Sequence, residues 1–463
     1  MTDTASHSPA ARANRWLLRI LAASTACTLL VIAIFILRGD TPEKARDRTV
    51  LPFVGWFFST EYHDDSWGPM ARAFLRSQRR ADGDIYGIFF DEGRKFQYPP
   101  TSLLGFFLMP AARLEKHIVF YDTVTRLRGG AQHVARTASQ LAVLATIAAS
   151  IAILETGLRR LRAPGEDQGK SWRIARVAIL ALLGLAFYPA MKAHQLGQIQ
   201  VFLNALTAAG VLAHLLGRQA CCGVLLGLCC LVKPQLGVVL VWAALRRNWR
   251  LLGGFLAATV PLGIVSLALF GWDNHLRYLD VIREIARLGE AFWPNQSVNG
   301  FTNRLLGNGD PANFSMFDFA PYQPLVHFLT MGTSLVILGL ALFVRKPAAL
   351  DAGLDLAVII AAATLASPVA WEHHYGAFLP LFALALPACL ERHASAVITG
   401  LLLGVSYLAI SVAVIAPDVF FSARWCGWMS SYLFFGAVLL FGLLLHLRRP
   451  AGKPGTTPPS AGT

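Results

Sequence analysis

Apolar stretches of about 20 residues, the length a helix needs to cross a hydrocarbon core, recur from one end of this chain to the other, with basic residues between them. A chain built this way uses lipid as its solvent. In lipid each backbone polar group must be satisfied inside its own segment, which selects helices. Composition agrees: only 15% of the 463 residues are charged and 55% are hydrophobic, against roughly a quarter charged in soluble domains. The expected fold class is an all-α polytopic membrane protein. The net charge of +14 reads as loop charge that sets topology, not as a nucleic-acid surface.

Spans are expected near 16–37, 136–156, 174–191, 199–216, 251–271, 323–344, 354–370, 376–391, 395–416 and 427–447. Basic residues orient them. The segment Arg159, Arg160, Arg162, Lys170, Arg173 and Arg176 should be cytoplasmic, as should the N-terminal 1–15, Arg345 with Lys346, Arg392, and Arg448 with Arg449. Simple alternation satisfies these marks except at 220–245, an apolar stretch with Arg218 before it and Arg246, Arg247 and Arg250 after it. A helical hairpin with its tip at Lys233-Pro234 keeps both flanks on one side, and Pro234 suits the break. Each arm of about twelve residues reaches roughly 18 Å, short of a core of roughly 30 Å. The expected domain therefore runs from 16 to 450 as ten spans plus one short hairpin, followed by a disordered tail at 451–463 rich in Pro, Gly and Thr. The cysteines lack zinc-type spacing; six of the seven read as small apolar residues within helices, and Cys426 lies near a loop.

This orientation puts the polar loops 38–97, 192–198, 272–322, 371–375 and 417–426 on the non-cytoplasmic side. The chemistry candidates sit there. Asp64 and Asp65 form an acidic pair that can serve as general base or bind a cation; a solvated loop face is the plainer reading. Tyr98-Pro99-Pro100 fixes an extended turn. Gln195 and Gln198 offer amides to sugar hydroxyls or a phosphate, or cap two helices. Lys233 is a charge inside an apolar segment, a costly placement that points to function, such as binding a lipid phosphate. Asn295 and Gln296 suit a hydroxyl-rich ligand, and Trp371, His373 and His374 close an outward helix end after Pro368. The adjacent Glu372-His373-His374 run lacks the one-turn spacing of a helical metal site, so no metal is expected.

The order of these motifs, an outer-loop Asp, Tyr-Pro-Pro at 98–100, Gly-Gln at 197–198, Lys-Pro at 233–234, Asn-Gln-Ser at 295–297 and Ser-Pro-x-x-Trp-x-His-His at 367–374, resembles glycosyltransferase family 87 from about residue 55 to about 380. The resemblance implies a GT-C-type bundle and inverting transfer of a hexose, typically mannose. The donor would be a polyprenyl-phosphate sugar and the acceptor a glycolipid or glycan, without an essential metal or other cofactor. It also implies a base in the first outer loop, Asp65 or Asp64, and a cell-membrane location with the site on the non-cytoplasmic face. The sequence after the acidic pair, Ser66-Trp67-Gly68-Pro69, departs from the family pattern. The competing class is a lipid or solute transporter or flippase, which would show intramembrane charges along a pathway and often internal repeats. No internal repeat is evident here.

Overall fold

The computed structural model describes residues 9–37, 55–59, 63–79, 83–108, 118–120, 125–127, 129–161, 170–343, 351–392, 395–411 and 424–449. The tail at 451–463 and much of the first loop lie outside the described residues. Residues 9–15, expected as a separate N-terminal segment, are the first turns of a 29-residue helix, Pro9–Leu37.

A helix stands at each of the ten expected places: Pro9–Leu37, Gly130–Arg160, Lys170–Leu185, Gln200–Leu215, Trp249–Leu288, Pro324–Leu342, Ala352–Leu365, Leu379–Glu391, Ala396–Ser411 and Tyr432–Leu447. Their lengths correct the expectation of ten full spans. Five described stretches meet the length and hydropathy needed to cross: Gly130–Arg160, Trp249–Leu288, Pro324–Leu342, Glu372–Glu391 and Gly427–Leu447. A sixth is added if Lys170–Leu185 and Tyr188–Gln195, bent by 53°, count as one. Gln200–Leu215, Ala352–Leu365 and Ala396–Ser411 have 16, 14 and 16 residues, about 24 Å or less at the helical rise. The sequence period marks apolar runs; it does not mark where a helix breaks to build a site. The chain is a multi-pass, all-α membrane protein, with one short antiparallel ribbon, β1 (Ile118–Phe120) on β2 (Thr125–Leu127), among the described residues.

Ala352–Leu365 and Leu379–Glu391 are buried along almost their whole length and form the bundle's axis. Asp355 on the first of them accepts from Trp242 Nε1 at 2.8 Å, Arg246 Nε at 2.6 Å and Arg448 Nη1 at 3.1 Å. Removing one partner from such a buried pair costs about 3–5 kcal/mol. Nearby, Arg160 donates to Leu215 O at 3.0 Å, His214 Nε2 meets Ala352 O at 3.1 Å, and Arg392 donates to Leu447 O at 3.3 Å. These bonds gather the basic turns at one end of the bundle, as the charge pattern requires.

The 219–248 segment leaves that end and returns to it. Gln219 Oε1 accepts from Asn248 Nδ2 at 3.0 Å, so the two flanks meet. The outgoing arm, Gln219–Cys230, lies directly on the start of Trp249–Leu288: a Cβ on Gly223 would stand 2.0 Å from Leu251 O. The return arm is a 3-10 turn, Pro234–Gly237, leading into Val238–Leu245. The fold-back at Lys233-Pro234 is therefore present.

Polar layers cap the opposite end. Trp249–Leu288 breaks at Gly271, whose φ of 75° favours glycine. Asn274, just past the break, donates to Phe270 O at 2.7 Å and Gly83 O at 3.1 Å and accepts from Ile85 N at 2.9 Å, fastening the first loop to this helix. The apolar stretch Pro100–Leu108 does not span. It forms a 3-10 segment that stacks Phe106 on Phe74 of the helix Trp67–Arg79, with ring centroids 5.6 Å apart.

Candidate active site

The acidic pair is held by the Gly-Gln turn. His63 N donates to Gln195 O at 3.0 Å and Asp65 N to Leu196 O at 2.9 Å, so residues 63–65 lie along the 195–196 backbone. This close approach needs Gly197: a Cβ there would fall 2.0 Å from His63 O, and its φ of 64° disfavours other residues. The two aspartates are thereby separated. Asp64 is buried, and its Oδ1 accepts from Gly68 N at 3.2 Å, holding the start of Trp67–Arg79. Asp65 is exposed, and its Oδ2 accepts from Gln198 Nε2 at 3.2 Å.

Gln198 is itself fixed. Its Oε1 accepts from Ser66 Oγ at 2.7 Å, and Ile199 N donates to Ser66 Oγ at 3.0 Å. The Tyr98 hydroxyl lies 2.7 Å from Ser66 Oγ and donates to Gln198 Oε1 at 3.3 Å. Burial raises the Tyr98 hydroxyl well above the usual phenol range, which keeps it a donor. Ser66, part of the departure from the family pattern, is thus the hub of a four-residue network that no short motif flags.

A second group assembles beside it. Asn295 pairs with Trp371 across a two-strand bridge, with Gln296 N donating to Ala370 O at 2.8 Å and Glu372 N to Pro294 O at 2.9 Å. The Asn-Gln-Ser and Ser-Pro-x-x-Trp motifs are therefore one backbone unit. His373 and His374 follow in a buried 3-10 turn, Glu372–Phe378, with rings perpendicular and centroids 4.8 Å apart. Lys233 stands within electrostatic reach of both histidines, and its buried Nζ has no hydrogen-bond partner among the described residues. One apolar cluster joins the two groups, packing Tyr98, Ile199, Val232 and Trp371 together.

Two expected ligand contacts are hydrogen-bonded within the protein. Asn295 is fully buried, with Nδ2 donating to Glu290 O at 2.8 Å and Oδ1 accepting from Ala370 N at 3.0 Å. Gln296 is also buried, donating to Trp293 O at 2.7 Å and Ser430 O at 2.9 Å and accepting from Phe434 N at 3.1 Å. Their amides bind backbone, so they lock the loop in place. Gln195 Oε1 accepts from Lys192 Nζ at 3.1 Å. Lys192, which lies 5.4 Å from the Trp56 ring and within electrostatic reach of Glu372 and His373, was not singled out from the sequence. Nor was Asn204, buried beside Gly376, whose Nδ2 is unpaired among the described residues. Among the described residues no three His, Cys, Asp or Glu side chains gather closely enough to hold a metal ion.

The glycosyltransferase family 87 model matches residues 96–368, more than half of the chain. The chain belongs to glycosyltransferase family 87. It is therefore a membrane glycosyltransferase, acting between a sugar donor and an acceptor. The matched residues of this family 87 chain contain Tyr98, Gln198, Lys233 and Asn295. Asp64 and Asp65 precede the matched part, and Trp371, His373 and His374 follow it. In this transferase the fold carries both flanking segments to the matched part through the bonds described above. No curated protein and no solved structure matches the chain.

Proposed function

We propose that this transferase moves a hexose, typically mannose, from a polyprenyl-phosphate sugar to a glycolipid or glycan hydroxyl, with inversion, on the non-cytoplasmic face of the cell membrane. The observation that carries the reading is an exposed, oriented carboxylate, Asp65, on a turn that one apolar cluster joins to a second group holding two histidines and Lys233, whose buried Nζ has no hydrogen-bond partner among the described residues. Asp65 takes the proton of the acceptor hydroxyl. The acceptor oxygen bonds to the anomeric carbon as the bond from that carbon to the phosphate oxygen breaks, and lipid phosphate leaves with the electron pair. Lys233 meets the charge that grows on the phosphate, where a low-dielectric setting makes a fixed cation effective. Trp371, His373 and His374 line the sugar, and Tyr98 and Gln198 hold the base. Asn295, Gln296 and Gln195 shape the walls. No metal or other cofactor enters this scheme.

The test incubates solubilised full-length protein with labelled polyprenyl-phosphate mannose and a panel of membrane glycolipids. Label should appear in a glycolipid, and Asp65→Asn should abolish its transfer at unchanged protein level. No transfer from any polyprenyl-phosphate sugar overturns the donor class. Full activity in Asp65→Asn, Asp64→Asn and the double variant overturns the base.

A further inference from the structure

Phe314, on the loop between the helices Val298–Leu306 and Pro324–Leu342, forms an aromatic triad with Phe292 and Trp371. Their ring centroids lie 5.7, 5.9 and 6.4 Å apart, so each ring meets the other two. The loop is pinned at three points. Gly309 packs on Ala291, where an added Cβ would come within 2.8 Å. Pro311 O accepts from Trp293 N at 2.9 Å, and Met316 O accepts from Lys95 N at 3.0 Å. Lys95 Nζ, paired with Glu290 Oε2 at 2.5 Å, lies 5.0 Å from the Phe314 ring and 4.5 Å from the Phe319 ring, an attractive placement for a cation. Phe314 is thus fixed in place, yet 47% of it is exposed.

The surroundings of the ring select what can cover it. Exposed Asp310 and Asp318 are each bonded to a chain neighbour of Phe314: Asn313 Nδ2 donates to Asp310 Oδ2 at 2.9 Å, and Ser315 Oγ donates to Asp318 Oδ2 at 2.8 Å. Sinking Phe314 into hydrocarbon would take both carboxylates with it, which is costly. An anionic head group or acidic sugar is repelled as well. In a chain of net charge +14, residues 305–344 contain no Lys or Arg. The cations that reach Phe314 and Phe317, Lys95 and Arg94, are paired with Glu290 at 2.5 Å and Glu92 at 3.5 Å. An uncharged saccharide fits what remains: the C–H face of a sugar ring covers an aromatic face, and its hydroxyls tolerate or donate to nearby carboxylates.

We propose that the Phe314 ring is the stacking surface of an acceptor subsite for an uncharged sugar unit, and that Asp310 and Asp318 turn acidic acceptors away. The proposal deepens, and rests on, the reading of the site as a centre of glycosyl transfer. Trp371 links the subsite to that centre, since it belongs to the triad and directly precedes the turn that carries His373 and His374.

The test is saturation-transfer difference NMR on solubilised full-length protein without donor. The probes are methyl mannoside and methyl glucoside, both neutral, and methyl glucuronide, which is acidic. Wild type should bind a neutral probe through its C–H protons and ignore the glucuronide. Phe314→Ala should weaken that binding by about tenfold, the scale of one aromatic contact, while Phe314→Tyr, which keeps a ring, should match wild type. Asp310→Asn/Asp318→Asn should admit the glucuronide. No binding of either neutral probe, or equal binding in wild type and Phe314→Ala, overturns the subsite. Equal binding of the glucuronide by wild type overturns the charge selection. In nanodiscs with brominated acyl chains, quenching of the added fluorescence of Phe314→Trp would place the ring in lipid and overturn the proposal too. Binding is read without turnover, so its failure is distinct from a failure of transfer from the donor named above.

Discussion

Gln198 Nε2 donates to Asp65 Oδ2 at 3.2 Å while Gln198 Oε1 accepts from Ser66 at 2.7 Å, so the exposed carboxylate is aimed by a side chain that is itself held. The neighbouring Asp64 is spent on the backbone of Gly68. Two adjacent acids, alike in sequence, thus sit in unlike surroundings.

That difference is measurable. Asp65→Asn should cut turnover by about 10²–10⁴, the range for a general base, with little change in thermal stability. Asp64→Ala should lower apparent Tm, because a helix-start acceptor contributes about 1 kcal/mol, and should keep most of the activity of the protein that folds. Turnover assays beside thermal melts separate the two.

Gln198→Ala should lower kcat by about tenfold to hundredfold, since small misplacements of a catalytic group cost that much. Ser66→Ala and Tyr98→Phe should each have a smaller effect. Their double variant should fall short of the product of the single effects, because both act through Gln198. A double-mutant cycle on kcat checks this.

Gly197→Ala should leave helix content by circular dichroism near wild type and abolish transfer. The added Cβ would lie 2.0 Å from His63 O, so the segment carrying Asp65 has to move.

Lys233→Gln should raise the donor KM by about tenfold to hundredfold, the equivalent of one charge-assisted hydrogen bond. The acceptor KM should stay within about twofold. Equal changes in both would remove the lysine from the donor phosphate.

Asn295→Ala and Gln296→Ala should act on stability first. Each leaves buried backbone groups unpaired, at about 1–3 kcal/mol. Apparent Tm should drop, with donor KM in the folded fraction unchanged. A raised KM at unchanged Tm would return these amides to the ligand.

The amino-acid sequence by itself determined the all-helical membrane class, the ten helix positions and the common end of the basic turns, because apolar length and positive flanks act locally and need no knowledge of neighbours. It also placed the fold-back at Lys233-Pro234, since the matching charges at Arg218 and Arg246 leave one plausible path. Which aspartate faces outward, that Ser66 fixes Gln198, that Asn295 and Gln296 are occupied by backbone, and that Lys192 joins the second group were decided only by tertiary structure. Each depends on contacts between residues far apart in the chain, such as Ser66 with Gln198 or Gln296 with Ser430. A hydrogen bond spanning more than a hundred residues leaves no periodicity for a sequence reading to detect, and an amide looks the same in sequence whether it will meet a sugar or a carbonyl.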